Sequence, residues 1–196
     1  MGDRLQGLNL YLIGMMGTGK TTVGQRLAKE LGYRFFDTDV LIERVAQKSI
    51  NELFAEDGET FFRDLESQVL GEVSACTRSV IATGGGAVLR PVNWGYLRHG
   101  LIIWLDAPIS LLIERLAEDN TRPLLKIDDL SLKLETLLAE RKSLYQEADL
   151  QIAIAKNENP EQIVSKILEQ APNVLKSPEK SPQLGEINPE DPKELN

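Results

Sequence analysis

One run of residues, Gly14-Met15-Met16-Gly17-Thr18-Gly19-Lys20-Thr21, constrains this chain more than any other feature. Glycines at fixed spacing are closed by Lys-Thr, and the flanks supply the required context. Before the run, residues 8–13 are apolar and of strand length. After it, Val23, Leu27, Ala28 and Leu31 fall on one face of a helix, and Gly32 stops that helix. Strand, glycine-rich turn and helix together make a cradle for a polyphosphate. The glycines let backbone N–H groups of Gly17, Thr18 and Gly19 turn inward onto phosphate oxygens. The helix N-terminus adds a positive dipole end. Lys20 is placed to reach the β- and γ-phosphates, the Thr21 hydroxyl to ligate Mg²⁺, and the Thr22 hydroxyl to meet the α-phosphate.

The rest of the chain alternates in the same manner. Strands are expected at 34–36, 79–82, 101–105 and 150–154. Helices are expected at 40–47, at 49–55 behind a Ser49 cap, and at 59–76, 109–116, 130–145 and 160–170, the last with Pro160 in its first turn. This order predicts an α/β fold of three layers, a five-stranded parallel sheet with helices on both faces. Ligands of such sheets sit beyond the carboxyl ends of the strands. Gly14, Asp37, Gly84 and Asp106 all stand there, so one rim is expected to carry the chemistry.

Composition bounds the partners. The formal net charge of −8 argues against a nucleic-acid face. No apolar run is long enough to span a bilayer, and the N-terminus has no signal-peptide layout. The lone Cys76 fits a reducing compartment and reads as a core residue, which points to a cytoplasmic protein. A monomer is expected. His99 takes no role, and Trp94 and Trp104 read as structural. Residues 1–175 form one predicted domain, with a mobile lid expected at about 117–128. Residues 176–196 mix four prolines with charges and carry few large apolar residues, a composition expected to stay disordered.

Elimination narrows the class. No guanine-reading Asn-Lys-x-Asp occurs, and the third strand runs into Gly84-Gly85-Gly86 where a motor ATPase would keep an acid. A small-molecule kinase using ATP remains. Three glycines in a row cost entropy to order, and they suggest a backbone that must approach a ligand closely. Asp37-Thr38-Asp39 brings two carboxylates to the rim, one suited to the metal and one to acceptor hydroxyls; Thr38 or Asp39 also suits a helix N-cap. Arg63, with Glu66 one turn on, and Arg141 each read singly as a surface arginine, and together as a candidate fork for a carboxylate. Arg122, before Pro123-Leu124, reads as a phosphate-facing arginine on the lid.

In this order and spacing, Gly14 to Thr22, Asp37-Thr38-Asp39, Phe61-Phe62-Arg63-x-x-Glu66, Gly84-Gly85-Gly86, Arg122-Pro123-Leu124 and the Arg141 helix resemble the shikimate kinase family. The resemblance covers about residues 8–170. It implies a sheet like that of nucleoside monophosphate kinases, ATP and Mg²⁺ as cofactors, and shikimate as acceptor. It implies that Asp39 holds the ring hydroxyls and is the candidate base, and that Arg63 and Arg141 bind the carboxylate beside the backbone of Gly84, Gly85 and Gly86. It further implies that Thr21 and Asp37 serve the metal, that Lys20 and Arg122 stabilise the transferred phosphoryl group, and that Arg115 flanks the adenine. The loop Lys156-Asn157-Glu158-Asn159-Pro160 departs from members that carry arginine there. Two other readings are a kinase for another polyol acid such as gluconate and a kinase-like binding protein without activity.

Overall fold

The computed structural model describes Leu5, residues 7–117 and residues 127–175, with the backbone alone for 127–129. Five parallel strands make one sheet: β1 (Leu10–Ile13), β2 (Arg34–Asp37), β3 (Ser79–Ala82), β4 (Leu101–Asp106) and β5 (Leu150–Ala153). Their spatial order is β2-β3-β1-β4-β5. Tyr11 of β1 pairs with Ile81 of β3 on one side and Ile102 of β4 on the other, so β1 lies at the centre. All four residues of β1 and of β3 are buried, as expected for strands covered on both faces, while the edge strand β5 alternates buried and exposed.

The helices are α1 (Lys20–Leu31), α2 (Thr38–Ala46), α3 (Ile50–Glu52), α4 (Gly58–Ser74), α5 (Pro91–Leu97), α6 (Ile109–Ala117), α7 (Ile127–Tyr145) and α8 (Pro160–Leu175). Helix α1 buries Val23, Gly24, Leu27 and Ala28 and packs against α8 and β3. Gly24 permits a close approach: a Cβ there would lie 2.6 Å from the Phe35 ring of β2. One large core surrounds the sheet. A second, smaller core of Ile42, Leu53, Phe62 and Val69 joins α2, α4 and the segment between them.

Several sequence expectations need correction. The segment expected as one helix from Ser49 is α3, opened by a capping box between Ser49 and Glu52 and followed by a π-helical turn at Leu53–Asp57. That wider turn ends at Gly58, whose φ of 83° only glycine adopts readily. Helix α2 starts two residues earlier than expected, and its N-cap is Asp37, not Thr38 or Asp39. The 3₁₀ turn Ala87–Leu89 and helix α5 were not anticipated, although Pro91 stands at the first helical position. Helix α8 continues past residue 170 through Pro172, because Ala171 is fully buried and Val174 and Leu175 pack on the core. Cys76 lies just past α4 and is half-buried, so it is not on the core face of that helix. Trp94 and Trp104 are core residues.

The expected lid about residues 117–128 falls mostly outside the described residues, and Arg122 and the 176–196 tail lie wholly outside them. Among the described residues, no helix is long and apolar enough to cross a membrane.

Candidate active site

The phosphate loop leaves β1 at Gly14 and enters α1 at Lys20. Gly14, Gly17 and Gly19 have φ of 136°, 78° and 92°, the region that side chains avoid. Gly14 is glycine for a second reason: a Cβ would lie 2.5 Å from the carbonyl oxygen of Leu105 on β4. The Thr18 hydroxyl turns inward and donates to Met15 O at 2.9 Å, so its proton is spent within the loop. Lys20 arches back over the loop and donates from Nζ to Gly14 O at 2.9 Å and Met15 O at 2.8 Å. Burial pulls its pKa down from 10.5 to about 8, against the pull of the Asp39 and Asp37 carboxylates. Thr22 is exposed in the first turn of α1.

Asp37 closes β2 and makes two kinds of bond. Its Oδ1 accepts from Asp39 N at 3.0 Å and Val40 N at 3.4 Å, which caps α2. Its Oδ2 accepts from the Thr21 hydroxyl at 2.7 Å. The cap therefore aims the second carboxylate oxygen at the end of the phosphate loop. Thr38, fully buried, accepts from Gly84 N at 3.1 Å and ties the start of α2 to the glycine loop.

Around that loop the acceptor-side residues converge. A Cβ on Gly84 would lie 2.7 Å from Asp39 Oδ1 and 2.8 Å from Glu66 Oε1, so both carboxylates press on the glycine. A Cβ on Gly86 would lie 2.7 Å from Arg63 Cζ. A Cβ on Gly85 would be 3.5 Å from Gly14 O and Met16 N and 3.7 Å from Arg141 Nη1. The glycine loop thus meets the phosphate loop and Arg141 at Gly85 and Arg63 at Gly86.

Arg63 donates to Glu66 Oε2 at 2.8 Å, its guanidinium also meets Glu59, and it lies over the Phe62 ring. Glu66 is 1% exposed, its Oε1 has no hydrogen-bond partner, and burial pushes its carboxyl pKa up. Arg141 is 9% exposed and its Nε has no partner. A buried guanidinium with an unmet donor is costly, and an anionic ligand would satisfy it. Arg115, at the end of α6, donates from Nη1 to Gly17 O and Thr18 O at 3.1 Å each.

Sequence reading missed three parts of this site. Phe54 of the π-turn packs on Phe62 with centroids 4.6 Å apart and planes tilted by 35°, and Arg63 lies over that Phe62 ring. Thr38 ties α2 to Gly84. Tyr145, one turn beyond Arg141 on α7, donates to Gly85 O at 2.6 Å; its spacing from Arg141 was the available signal.

Comparison with known proteins gives one answer. The family model described as shikimate kinase matches residues 16–172. The shikimate kinase of Rippkaea orientalis is 65% identical over 172 residues, covering 88% of this chain and 92% of that one. A solved structure of shikimate kinase from Acinetobacter baumannii in complex with shikimate has a TM-score of 0.79 at 38% identity, covering 86% of this chain and 94% of that one. A gluconokinase from Sinorhizobium meliloti has a TM-score of 0.52 at 15% identity, covering 83% of this chain and 90% of that one, a likeness of fold alone.

Proposed function

The chain belongs to the shikimate kinase family, and from that premise we propose how its residues divide the work of phosphoryl transfer. The reaction is ATP-dependent phosphorylation of shikimate at its 3-hydroxyl, giving shikimate 3-phosphate and ADP for aromatic amino-acid biosynthesis. The observation that carries this reading is the Gly84–Gly86 loop, which meets Asp39 at Gly84, the phosphate loop and Arg141 at Gly85, and Arg63 at Gly86. A donor and an acceptor that both rest on one three-residue loop are close enough for direct transfer.

The backbone of Gly17, Thr18 and Gly19, with the Thr21 and Thr22 hydroxyls, holds the ATP phosphates. Lys20 exchanges its two carbonyl partners for the β- and γ-phosphates, and the incoming charge raises its pKa again. Arg115 flanks the adenine, and Arg122 meets the transferred group. The Thr21 hydroxyl and the Asp37 carboxylate are hard oxygen donors at 2.7 Å, and among the described residues no three acidic, histidine or cysteine ligands cluster. That set suits Mg²⁺ held chiefly by the nucleotide itself. When bound, the ion supplies charge neutralisation at the β- and γ-phosphates.

Arg63 and Arg141 grip the shikimate carboxylate, with the backbone of Gly84, Gly85 and Gly86 lying along the ring. Asp39 accepts hydrogen bonds from the ring hydroxyls and takes the proton of the attacking one. The transition state of such transfers is loose, so orientation by Asp39 counts for more than deprotonation. The net charge of −8 and the single cysteine support a cytoplasmic protein that acts on small molecules.

A coupled ADP-release assay across shikimate, gluconate and nucleoside monophosphates tests the assignment. Turnover is expected with shikimate. Preference for any other acceptor overturns the reading, as does no turnover with any of them.

A further inference from the structure

Two fully buried hydroxyls touch the glycine loop among the described residues: Thr38 accepts from Gly84 N, and Tyr145 donates to Gly85 O. The Tyr145 ring stacks on Trp104 of β4, with centroids 5.8 Å apart and planes 23° apart, which fixes it to the sheet. Its hydroxyl carries one proton. That proton goes to Gly85 O at 2.6 Å and not to Met15 Sδ at 3.7 Å, since a carbonyl is the far better acceptor. Burial pushes the tyrosine pKa up, so the hydroxyl keeps its proton and remains a donor.

The three glycines have no side chains to hold them. Their carbonyls are held from within the protein: Gly84 O by Ala87 N at 3.1 Å, Gly86 O by Leu89 N at 3.0 Å, and Gly85 O by the Tyr145 hydroxyl. The first two bonds are local to the turn. The third reaches across 60 residues of sequence to α7. Because a peptide unit is planar and trans, a carbonyl drawn toward Tyr145 turns the N–H of Gly86 the opposite way. Arg141 stands one helical turn before Tyr145, beside its hydroxyl, so one stretch of α7 presents both the guanidinium and the anchor for Gly85.

We propose that Tyr145 is a positioning residue for the acceptor: its hydroxyl fixes the Gly85–Gly86 peptide in register with Arg141, so that backbone and guanidinium meet the acceptor carboxylate together. The proposal rests on the reading of Gly85 and Arg141 as acceptor contacts. Tyr145 itself touches no reacting atom.

The test compares Tyr145→Phe, Tyr11→Phe and Arg141→Met with the unaltered protein. Tyr11 is a control because its hydroxyl is equally buried yet has no hydrogen-bond partner. Shikimate and ADP are each titrated calorimetrically, and steady-state kinetics follow. Tyr145→Phe leaves a buried carbonyl unmatched and is expected to weaken shikimate binding by about tenfold. Its KM for shikimate should rise likewise, while ADP affinity and the KM for ATP stay within about twofold, as expected of a change confined to the acceptor side. Tyr11→Phe should leave shikimate binding unaltered. Unchanged shikimate binding in Tyr145→Phe overturns the proposal, as does a parallel loss of shikimate and ADP affinity, which marks general loosening. If Arg141→Met also binds shikimate normally, the acceptor-site reading itself falls. If only Arg141→Met weakens binding, that reading stands and the role of Tyr145 falls.

Discussion

Replacing Arg63 by alanine separates two duties of one guanidinium. Arg63 is paired at 2.8 Å with Glu66, whose side chain is 1% exposed. Burial already pushes the Glu66 carboxyl up, and Arg63 is the nearest charge pulling it down, with Arg141 and Arg90 helping less. In Arg63→Ala the carboxylate is stranded, and its escape is to bind a proton. Protonating a glutamate with an unfolded-state pKa of about 4.3 at pH 7 costs about 3.7 kcal/mol, which caps the part of the loss that comes from the stranded charge. This lies within the ~3–5 kcal/mol seen when a buried pair loses one partner. The folded-state pKa of Glu66 in the variant stands above the unfolded value. The destabilisation is therefore largest at neutral pH and shrinks by about 1.4 kcal/mol for each unit of acidification toward the unfolded pKa. Adding Glu66→Gln removes the stranded charge and should restore most of the stability. Shikimate binding behaves otherwise. Both variants should lose about 2–5 kcal/mol, or ~30-fold to several thousand-fold in Kd, because the acceptor carboxylate has lost a partner. Urea unfolding at several pH values measures the first effect and calorimetric titration the second. A folded Arg63→Ala protein that loses less than about 1 kcal/mol of shikimate binding would refute the reasoning and remove Arg63 from the site.

Three further outcomes follow from the same geometry. Lys20 has a pKa lowered by burial to about 8, so the free protein loses this cation as pH rises through that value. The kcat/KM for ATP should then fall about tenfold per unit above pH 8, with the limb in kcat displaced upward; a flat kcat/KM profile to pH 10 would show that Lys20 is not needed in charged form. Gly84→Ala would push a methyl group onto Asp39 and Glu66 at 2.7 and 2.8 Å, whereas a Cβ at Gly85 meets nothing closer than 3.5 Å. Thermal melts should show Gly84→Ala destabilised by about 1–3 kcal/mol and Gly85→Ala little changed, and equal melting temperatures would contradict the packing described. Deleting residues 176–196 should leave turnover unaltered, and a large loss of rate would give that segment a function.

Much of the fold was legible because its signals are short in range. The continuous apolar runs of β1, β3 and β4 state that those strands are covered on both faces. The helical spacing of Val23, Leu27 and Ala28 fixes the buried side of α1. The parts that were misread are those where local preference competes with packing. A π-turn replaces an α-turn at Leu53–Asp57, where Leu53 is drawn into the small second core. Asp37 takes the cap of α2 because β2 ends at its side of the rim, and no local pattern distinguishes it from Asp39.

By itself the sequence determined the phosphate loop, since backbone sterics at Gly14, Gly17 and Gly19 permit few other turns, and it determined which residue types were at hand for an acidic acceptor. It did not contain their distances. That Thr21 meets Asp37, that Arg115 reaches Gly17 across 98 residues, and that Tyr145 secures Gly85 are consequences of the strand order β2-β3-β1-β4-β5. Strand order is decided by which apolar faces bury one another in three dimensions, and only the folded sheet brings its few cations to one rim.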